Sequence, residues 1–545
     1  MSCFFTIYKK HEPKASHRRS YTGKMGEKKE VNMKMLKHPL TIVCLIYTTI
    51  LTCIILQFIH RYDAFNYAID DPYIHLTIAK NLAFNHYWGV SDHQFSSASS
   101  SPFWTLLLTG LFLIFGDNEL IPLVLNIIFS FLSIYVIYLL LKKYNFNRIM
   151  MVTLLLLIIG NAQIVTITLV GMEHILQLFF LLVFFYLIQK YERITTEPLI
   201  WLSIIGFLAV WSRYESAFFI FAICVYWLFK NQIKAAFTIG IFSLLPVVIM
   251  GAYFLSQNGT FLPYTLLIKG NWEWGNEDRV IWILTTYVKQ TSIVLIGIIL
   301  YWLVGKKVHN PVTTRLLYIW LVFSVTHVFF FGFGAYHYRY IMFFVVFKFI
   351  VYVDIFRHVR SFIPKEKEKI TKKMYGFTLA FLMIFTIAVW GKEIYMDVHM
   401  MKDIRNQQIQ MKNFIFNYYN DKTVALNDIG IISYRTNIKL VDLWGLGTKS
   451  VALWKKEHAY NTDKIRTLVN QKRSDAIIVY TNWYDAYGGV PKEWIKVADW
   501  KYANVIVTGK KVTFYARNKR DAEKMRIYMK EFQPKIPDEV NVKIY

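Results

Sequence analysis

Apolar residues gather into long runs separated by short polar breaks, at roughly 39–60, 102–115, 119–141, 149–169, 173–189, 199–212, 214–229, 235–256, 280–304, 316–334, 338–356 and 374–391. Runs of about 18–25 residues without alternation predict helices that cross a bilayer. The run 102–115 is short, opens on Ser101-Pro102 and is separated from the next only by Gly116-Asp117-Asn118-Glu119. It reads as a re-entrant or juxtamembrane segment, since irregular backbone at membrane depth needs protein or water around it. Eleven spans remain.

Beyond about residue 393 the pattern changes to short β-branched stretches between polar segments. Thr423–Leu426, Lys439–Val441, Ala476–Tyr480 and Val505–Val507 read as strands. Ile465, Leu468 and Val469 share one face of a helix between them, and Arg520–Phe532 reads as a charged surface helix. The tail after Pro534 reads as loose. The chain therefore divides into a basic, disordered cytoplasmic tail (1–38), a membrane module (39–392) with a long first outer loop (61–118), and a C-terminal α/β domain (393–545).

Composition agrees. The chain is 55% hydrophobic with a mean hydropathy of +0.33, above the apolar share of soluble domains. Its net charge of +26 reads as topology rather than nucleic-acid binding, because cytoplasmic loops collect Lys and Arg. With eleven spans the inner segments hold 27 Lys/Arg, ten of them in the tail, against six in the outer segments before residue 392. Counting 102–115 as a span would put the Lys142–Arg148 loop outside and invert the later loops. The N-terminus is thus expected in the cytoplasm and the C-terminal domain outside a plasma membrane. Tail and first run lack a small-residue cleavage site, so that run reads as an anchor, with Met25, Met33 or Met35 as alternative starts. The cysteines, Cys3, Cys44, Cys53 and Cys224, have no metal-ligand spacing.

In this topology the unusual polar residues collect on the outer face. The first loop carries Asp70-Asp71-Pro72-Tyr73-Ile74, then His75, Lys80 and His86. A helix over Tyr73–Ala83 would align Ile74, Ile78 and Leu82 in a stripe and lie in the membrane interface. The acids could cap that helix or carry acid–base chemistry. Gly171-Met172-Glu173 and Arg213-Tyr214-Glu215 each interrupt apolar runs. His337-Tyr338-Arg339-Tyr340 fits either an aromatic belt or a phosphate ligand. No phosphate-binding loop, dinucleotide fingerprint or HExxH motif occurs.

Taken in order, Asp70-Asp71-Pro72-Tyr73-Ile74, Ser101-Pro102-Phe103-Trp104-Thr105, Gly171-Met172-Glu173, Arg213-Tyr214-Glu215, Pro263-x-Thr265-x3-Lys269, Arg339-Tyr340 and Asp428-x-Gly430…Asp442-x2-Gly445-Leu446 resemble the GT-C class of membrane glycosyltransferases. The nearest pattern is the arabinofuranosyltransferase-like branch, whose donors are polyprenyl-phosphate sugars; protein O-mannosyltransferases and lipid A aminoarabinose transferases are more distant. The resemblance covers about residues 40–450. It implies Asp70 as general base and Asp71 as its partner. Arg339, Arg213, Lys269 and Tyr340 would hold the donor phosphate, and Glu173, Glu215, His337 and Tyr73 the sugar or acceptor. Tyr214 and Ser216 depart from the Pro and Gly usual there. No metal site is expected, although a divalent cation serves some relatives.

The reaction so implied moves a sugar from a polyprenyl-phosphate carrier to a glycan, lipid or protein acceptor of the cell envelope, with inversion. The alternative is a lipid-linked-glycan flippase, exporter or assembly scaffold that binds without cleaving. A polymerase using diphosphate-linked oligosaccharide is a third reading. Trp444, Trp454, Trp483 and Tyr484 suit either sugar stacking or core packing.

Overall fold

The computed structural model describes residues 37–91, 94–191, 194–269, 281, 285, 311–331, 339–360, 368–502, 505–507 and 509–545. The tail before residue 37, the run 280–304 except Ile281 and Thr285, and His337 lie outside them, as does the side chain of Lys269.

The membrane module is built of α1 (Pro39–Tyr62), α2 (Asp71–Asn85), α3 (Pro102–Phe115), α4 (Ile121–Lys142), α5 (Arg148–Asn161), α6 (Ile164–Val170), α7 (His174–Lys190), α8 (Thr196–Ser212), α9 (Ser216–Phe229), α10 (Ile233–Ser256), α11 (Tyr264–Lys269), α12 (Pro311–Phe331), α13 (Met342–Arg360) and α14 (Glu368–Ile404). Among the described residues, five helical segments are long and apolar enough to cross a membrane: Pro39–Tyr62, Ile121–Lys142, Arg148–Val170, Ile233–Ser256 and Gly376–Tyr418. The third breaks where Gln163 takes a left-handed conformation (φ 54°), which separates α5 from α6. At 14 residues, α3 is about 21 Å long, shorter than the hydrocarbon core is thick, as is α9, which also has 14 residues. Its start is local chemistry: Ser101 Oγ accepts from the Trp104 amide, and Pro102 opens the helix, where its missing N–H costs nothing.

The first-loop helix forms, as α2, but it does not float at an interface with one wet face. Tyr73, Ile74, His75, Leu76, Thr77, Ile78 and Ala79 are all buried. One side packs on α3 and the other on α16 (Gly430–Arg435) of the C-terminal domain. Thr77 Oγ1 lies 3.1 Å from Ser433 Oγ, and Lys80 Nζ donates to the Tyr434 carbonyl at 3.3 Å. The stripe of Ile74, Ile78 and Leu82 could not reveal that the polar side would also be covered.

The last apolar run continues through α14 into a π-helical turn (Arg405–Ile409) and α15 (Gln410–Tyr418), so the membrane module enters the C-terminal domain through helix rather than linker. That domain adds β1 (Thr423–Leu426), β2 (Lys439–Asp442), α17 (Lys449–Lys456), α18 (Thr462–Gln471), β3 (Ala476–Val479), β4 (Ile495–Lys501), β5 (Lys511–Ala516), α19 (Lys519–Phe532) and β6 (Asn541–Ile544). The sheet order is β2-β1-β3-β5-β4-β6, with β2, β1 and β3 parallel and the others antiparallel. The chain turns to opposite sides after β1 and after β2, so the carboxyl ends of the parallel strands form a crevice of the kind that hosts functional loops. That end carries Asp428, Gly430 and Asp442.

Two sequence expectations fail here. Val505–Val507 is not a strand: the Ile506 and Val507 amides donate to the Asp403 carboxylate at 2.6 and 3.3 Å, and both side chains pack on a cluster containing Phe58 and Met400. The apolar triplet serves the base of the domain instead of its sheet. The tail is not loose either, because β6 pairs antiparallel with β4 from Ala498↔Ile544 to Lys501↔Asn541.

Candidate active site

Polar side chains converge where α2, α7, α8, α9 and α13 begin or end. Asp70 stands at the N-terminus of α2 but does not cap it. Its carboxylate instead crosses to the C-terminal domain, where Oδ2 accepts from the Gly430 amide at 2.5 Å and Oδ1 from the Ile431 amide at 2.9 Å. Asp70 thus caps the neighbouring helix Gly430–Arg435, while Asp71 is the acidic residue in the first turn of α2 itself. Gly430 is required by proximity, since a Cβ there would fall 2.1 Å from the Asp70 carbonyl oxygen. Asp428 lies on the same turn and takes a 2.6 Å bond from Gln408 Nε2. Burial, then the Asp428 charge, raises the Asp70 carboxyl well above the usual range, against the pull of the two amides. Asp428 is raised as well, by burial first. Two buried carboxyls that interact this closely favour sharing one proton.

Asp71 faces elsewhere. Its side chain is 35% exposed and meets Arg339 Nη1 at 3.1 Å. Arg339 is buried, and its Nε has no hydrogen-bond partner among the described residues. The Tyr340 ring lies between two guanidinium groups, with its centroid 5.0 Å from Arg339 Cζ and 4.9 Å from Arg213 Cζ.

Arg213 is the hub of a buried network. Its Nη1 donates to Glu173 Oε1 at 2.5 Å, while Nε and Nη2 form a fork to Glu215 at 3.1 and 2.5 Å. Ser100 Oγ donates to Glu173 Oε1 at 2.9 Å, and His75 Nε2 stands 3.6 Å from Oε2. Burial would raise Glu173, but Arg213 and His75 outweigh it and hold the carboxyl below its usual range. The Gly171 turn that delivers Glu173 needs a left-handed residue (φ 72°), and the Tyr67 ring leaves no room for a Cβ.

Apart from Asp70, Tyr73, Lys269 and His337, the expected residues form two clusters. Asp71, Arg339 and Tyr340 sit together with a cationic donor to spare. Glu173 and Glu215 both pair with Arg213, so Arg213 is occupied by carboxylates here. Tyr73 is fully buried between Tyr67 and Tyr434, with its hydroxyl accepting from the Tyr67 amide at 3.3 Å. It is a packing residue in this arrangement. Lys269 ends α11, and His337 lies outside the described residues. His75, Ser100 and Gln408 join the site without having been given a role from sequence. The small polar stretch Ser96–Ser101 ahead of an apolar helix was the available signal for Ser100.

In the C-terminal domain Asp442 organises the turn after β2, accepting from the amides of Trp444 (2.7 Å), Gly445 (3.1 Å) and Gly447 (2.5 Å). Lys455 Nζ lies over the Trp444 ring, and burial lowers that ammonium to about 7, with Asp442 pulling the other way. Tyr484 is fully buried and belongs to the domain core; Trp454 and Trp483 are half-buried against it. Beside Asp442 a cleft of about 220 Å³ opens between Ser91 and Gln94 of the first loop and Thr448 and Lys472. Among the described residues no group of three or more His, Cys, Asp or Glu is arranged to hold a metal ion.

Residues 99–256 match the model of a family described as dolichyl-phosphate-mannose-protein mannosyltransferase, and residues 399–515 match a domain of unknown function (DUF8728). No curated protein sequence matches significantly. The fold is similar to that of ArnT from Cupriavidus metallidurans in its apo crystal structure, with a TM-score of 0.53 at 8% identity, over 88% of this chain and 98% of that one. The membrane module thus contains a segment similar to the dolichyl-phosphate-mannose-protein mannosyltransferase family, and the chain shares the fold of ArnT.

Proposed function

We propose that the protein transfers a sugar from a polyprenyl-phosphate carrier to a cell-envelope acceptor on the outer face of a plasma membrane, with inversion. The observation that carries this reading is the Asp71–Arg339 pair, a half-exposed carboxylate held by a buried guanidinium that keeps an unused donor. An incoming donor phosphate competes with Asp71 for Arg339, since guanidinium binds phosphate in bidentate fashion. Binding would thereby open the Asp71–Arg339 pair beside the reacting sugar. The acceptor hydroxyl oxygen then attacks the anomeric carbon as the anomeric C–O bond breaks. The bonding pair leaves on the polyprenyl phosphate, whose charge Arg339 stabilises. The hydroxyl proton passes to the carboxylate.

The family resemblance assigns that base to Asp70. Access favours Asp71, because both Asp70 oxygens are engaged by Gly430 and Ile431. Asp70 then acts as a positioning residue that ties the C-terminal domain to the reaction site. One observation favours the other reading: the raised proton affinity of Asp70 suits a base, provided the 430 turn opens when the acceptor binds. The wall formed by Glu173 and Glu215 would orient the sugar or acceptor.

The test uses membranes containing the full chain and labelled polyprenyl-phosphate sugars. Asp71→Asn is expected to lower transfer roughly 10²–10⁴-fold, as removal of a general base does, with donor binding retained. Asp70→Asn should cost much less turnover. The reverse ranking would return the base to Asp70, and sugar-lipid binding without any transfer by the unmodified protein would favour the flippase or scaffold.

A further inference from the structure

A second polar site lies at the opposite ends of the same helices. A cavity of about 860 Å³ is walled by residues after α4, at the C-terminal ends of α7, α9 and α13, and at the N-terminal end of α12. Glu173 precedes α7 and Glu215 precedes α9, so those helices run from the candidate active site to this cavity. With 17 residues in α7, the separation is about 25 Å, close to the thickness of the hydrocarbon core. The two sites cannot share a small ligand.

Among the described residues, four cations line the cavity: Lys143, Lys230, Arg315 and Arg357. The one carboxylate among those described wall residues, Asp354, accepts from Tyr144 Oη and Thr313 Oγ1, each at 2.6 Å. Arg357 donates to the Tyr144 carbonyl, and Lys143 Nζ donates to Gln189 Oε1 at 2.6 Å. These neutral partners fix Arg357 and Lys143 in place without cancelling their charge. Burial lowers the Lys143 ammonium to about 8; Asp354 opposes this and Arg315 adds to it. Like charges drawn together at the wall of a cavity are costly and are relieved by an anion. Trp227 and Tyr226 at the same helix end are residues suited to the headgroup level of a bilayer.

We infer that this cavity is a binding site for a phosphate-bearing anion, either the headgroup of an anionic membrane lipid or a free phosphate from the aqueous phase. Arginine and lysine at the ends of membrane helices recognise both by charge-assisted hydrogen bonds. The site lies apart from the residues proposed for sugar transfer and does not depend on that reading.

The experiment is thermal unfolding of the purified full-length protein in neutral detergent, titrated separately with phosphatidylglycerol, phosphatidylcholine and inorganic phosphate at fixed ionic strength. Phosphatidylglycerol or inorganic phosphate raises Tm and phosphatidylcholine does not. Stabilisation by the lipid alone assigns the headgroup, and stabilisation by inorganic phosphate alone assigns the free anion. In Lys230→Gln/Arg315→Gln the same rise needs roughly tenfold or more ligand. Should that double variant not fold, Lys230→Gln alone, at an exposed position, must still weaken the response. No stabilisation by either anion, equal stabilisation by phosphatidylcholine, or an undiminished response in the variants overturns the inference.

Discussion

Asp70 and Gly430, 360 residues apart, meet through a 2.5 Å bond from the glycine amide to the carboxylate, and this contact ties the first loop to the C-terminal domain. A second amide, from Ile431, completes the clamp. The acidic pair is thereby split, with one member locked to the domain and the other facing Arg339.

Gly430→Ala tests that clamp. The added Cβ would lie 2.5 Å from Asp70 Oδ2 and 2.1 Å from the Asp70 carbonyl oxygen, which is backbone that cannot swing aside. Overpacking of this kind costs about 1–3 kcal/mol. Thermal unfolding should show the loss, and limited proteolysis should release the C-terminal domain sooner. An unchanged cleavage rate would mean that the clamp contributes little to docking.

Arg213 and Arg339 should separate cleanly. Arg213→Met strands Glu173 and Glu215, both buried, and is expected to cost about 3–5 kcal/mol of stability. Arg339→Met removes one partner of the half-exposed Asp71, so its stability change should stay within about 1 kcal/mol. Its transfer rate should instead fall roughly 10²–10³-fold, as for removal of a group that stabilises developing charge. Tm and labelled-sugar transfer, measured on both variants, decide the matter. A stable Arg213→Met would remove its anchoring role.

The Asp70–Asp428 pair predicts a pH dependence. Both carboxyls are raised on folding, so the native state holds protons that the unfolded chain releases. Their contribution to stability is fully present below the unfolded carboxylate pKa of about 4 and is lost as pH rises through the folded values. Asp428→Asn can still accept from Gln408 while removing one charge. Its Tm should therefore fall less steeply than that of the unmodified protein as pH rises. Parallel Tm profiles would show that the pair does not share a proton.

Asp442→Ala should loosen the turn after β2. Three amides, from Trp444, Gly445 and Gly447, lose their acceptor, and each such bond to a charged group contributes about 1.5–3 kcal/mol. Hydrogen exchange at residues 443–448 should rise by at least tenfold. Exchange confined to its original level would mean that the β2 register alone holds the turn.

Some of this was legible in the sequence because it rests on local chemistry. Apolar runs marked the helices, Ser101-Pro102 marked the start of α3, and the short stretches 423–426, 439–441 and 476–480 marked three strands, whose parallel pairing came from the structure. Those signals depend on period, propensity and caps that a short window contains. Val505–Val507 misled for the opposite reason. Three β-branched residues in a row indicate burial but not against what, and Asp403 took two of the amides a neighbouring strand would have needed.

The ordered motifs also pointed to the fold shared with ArnT and named several of the polar residues that gather at one end of the helices. The sequence by itself determined which charges exist and on which connections they lie. Only the tertiary structure decided their partners: Asp70 with Gly430, Asp71 with Arg339, and Arg213 between Glu173 and Glu215. Those pairings span 2 to 360 residues, and a local pattern carries no record of which buried charge will find which counter-charge. Burial then sets the chemistry, because the same carboxyl group holds its proton when enclosed beside another acid and releases it beside a guanidinium.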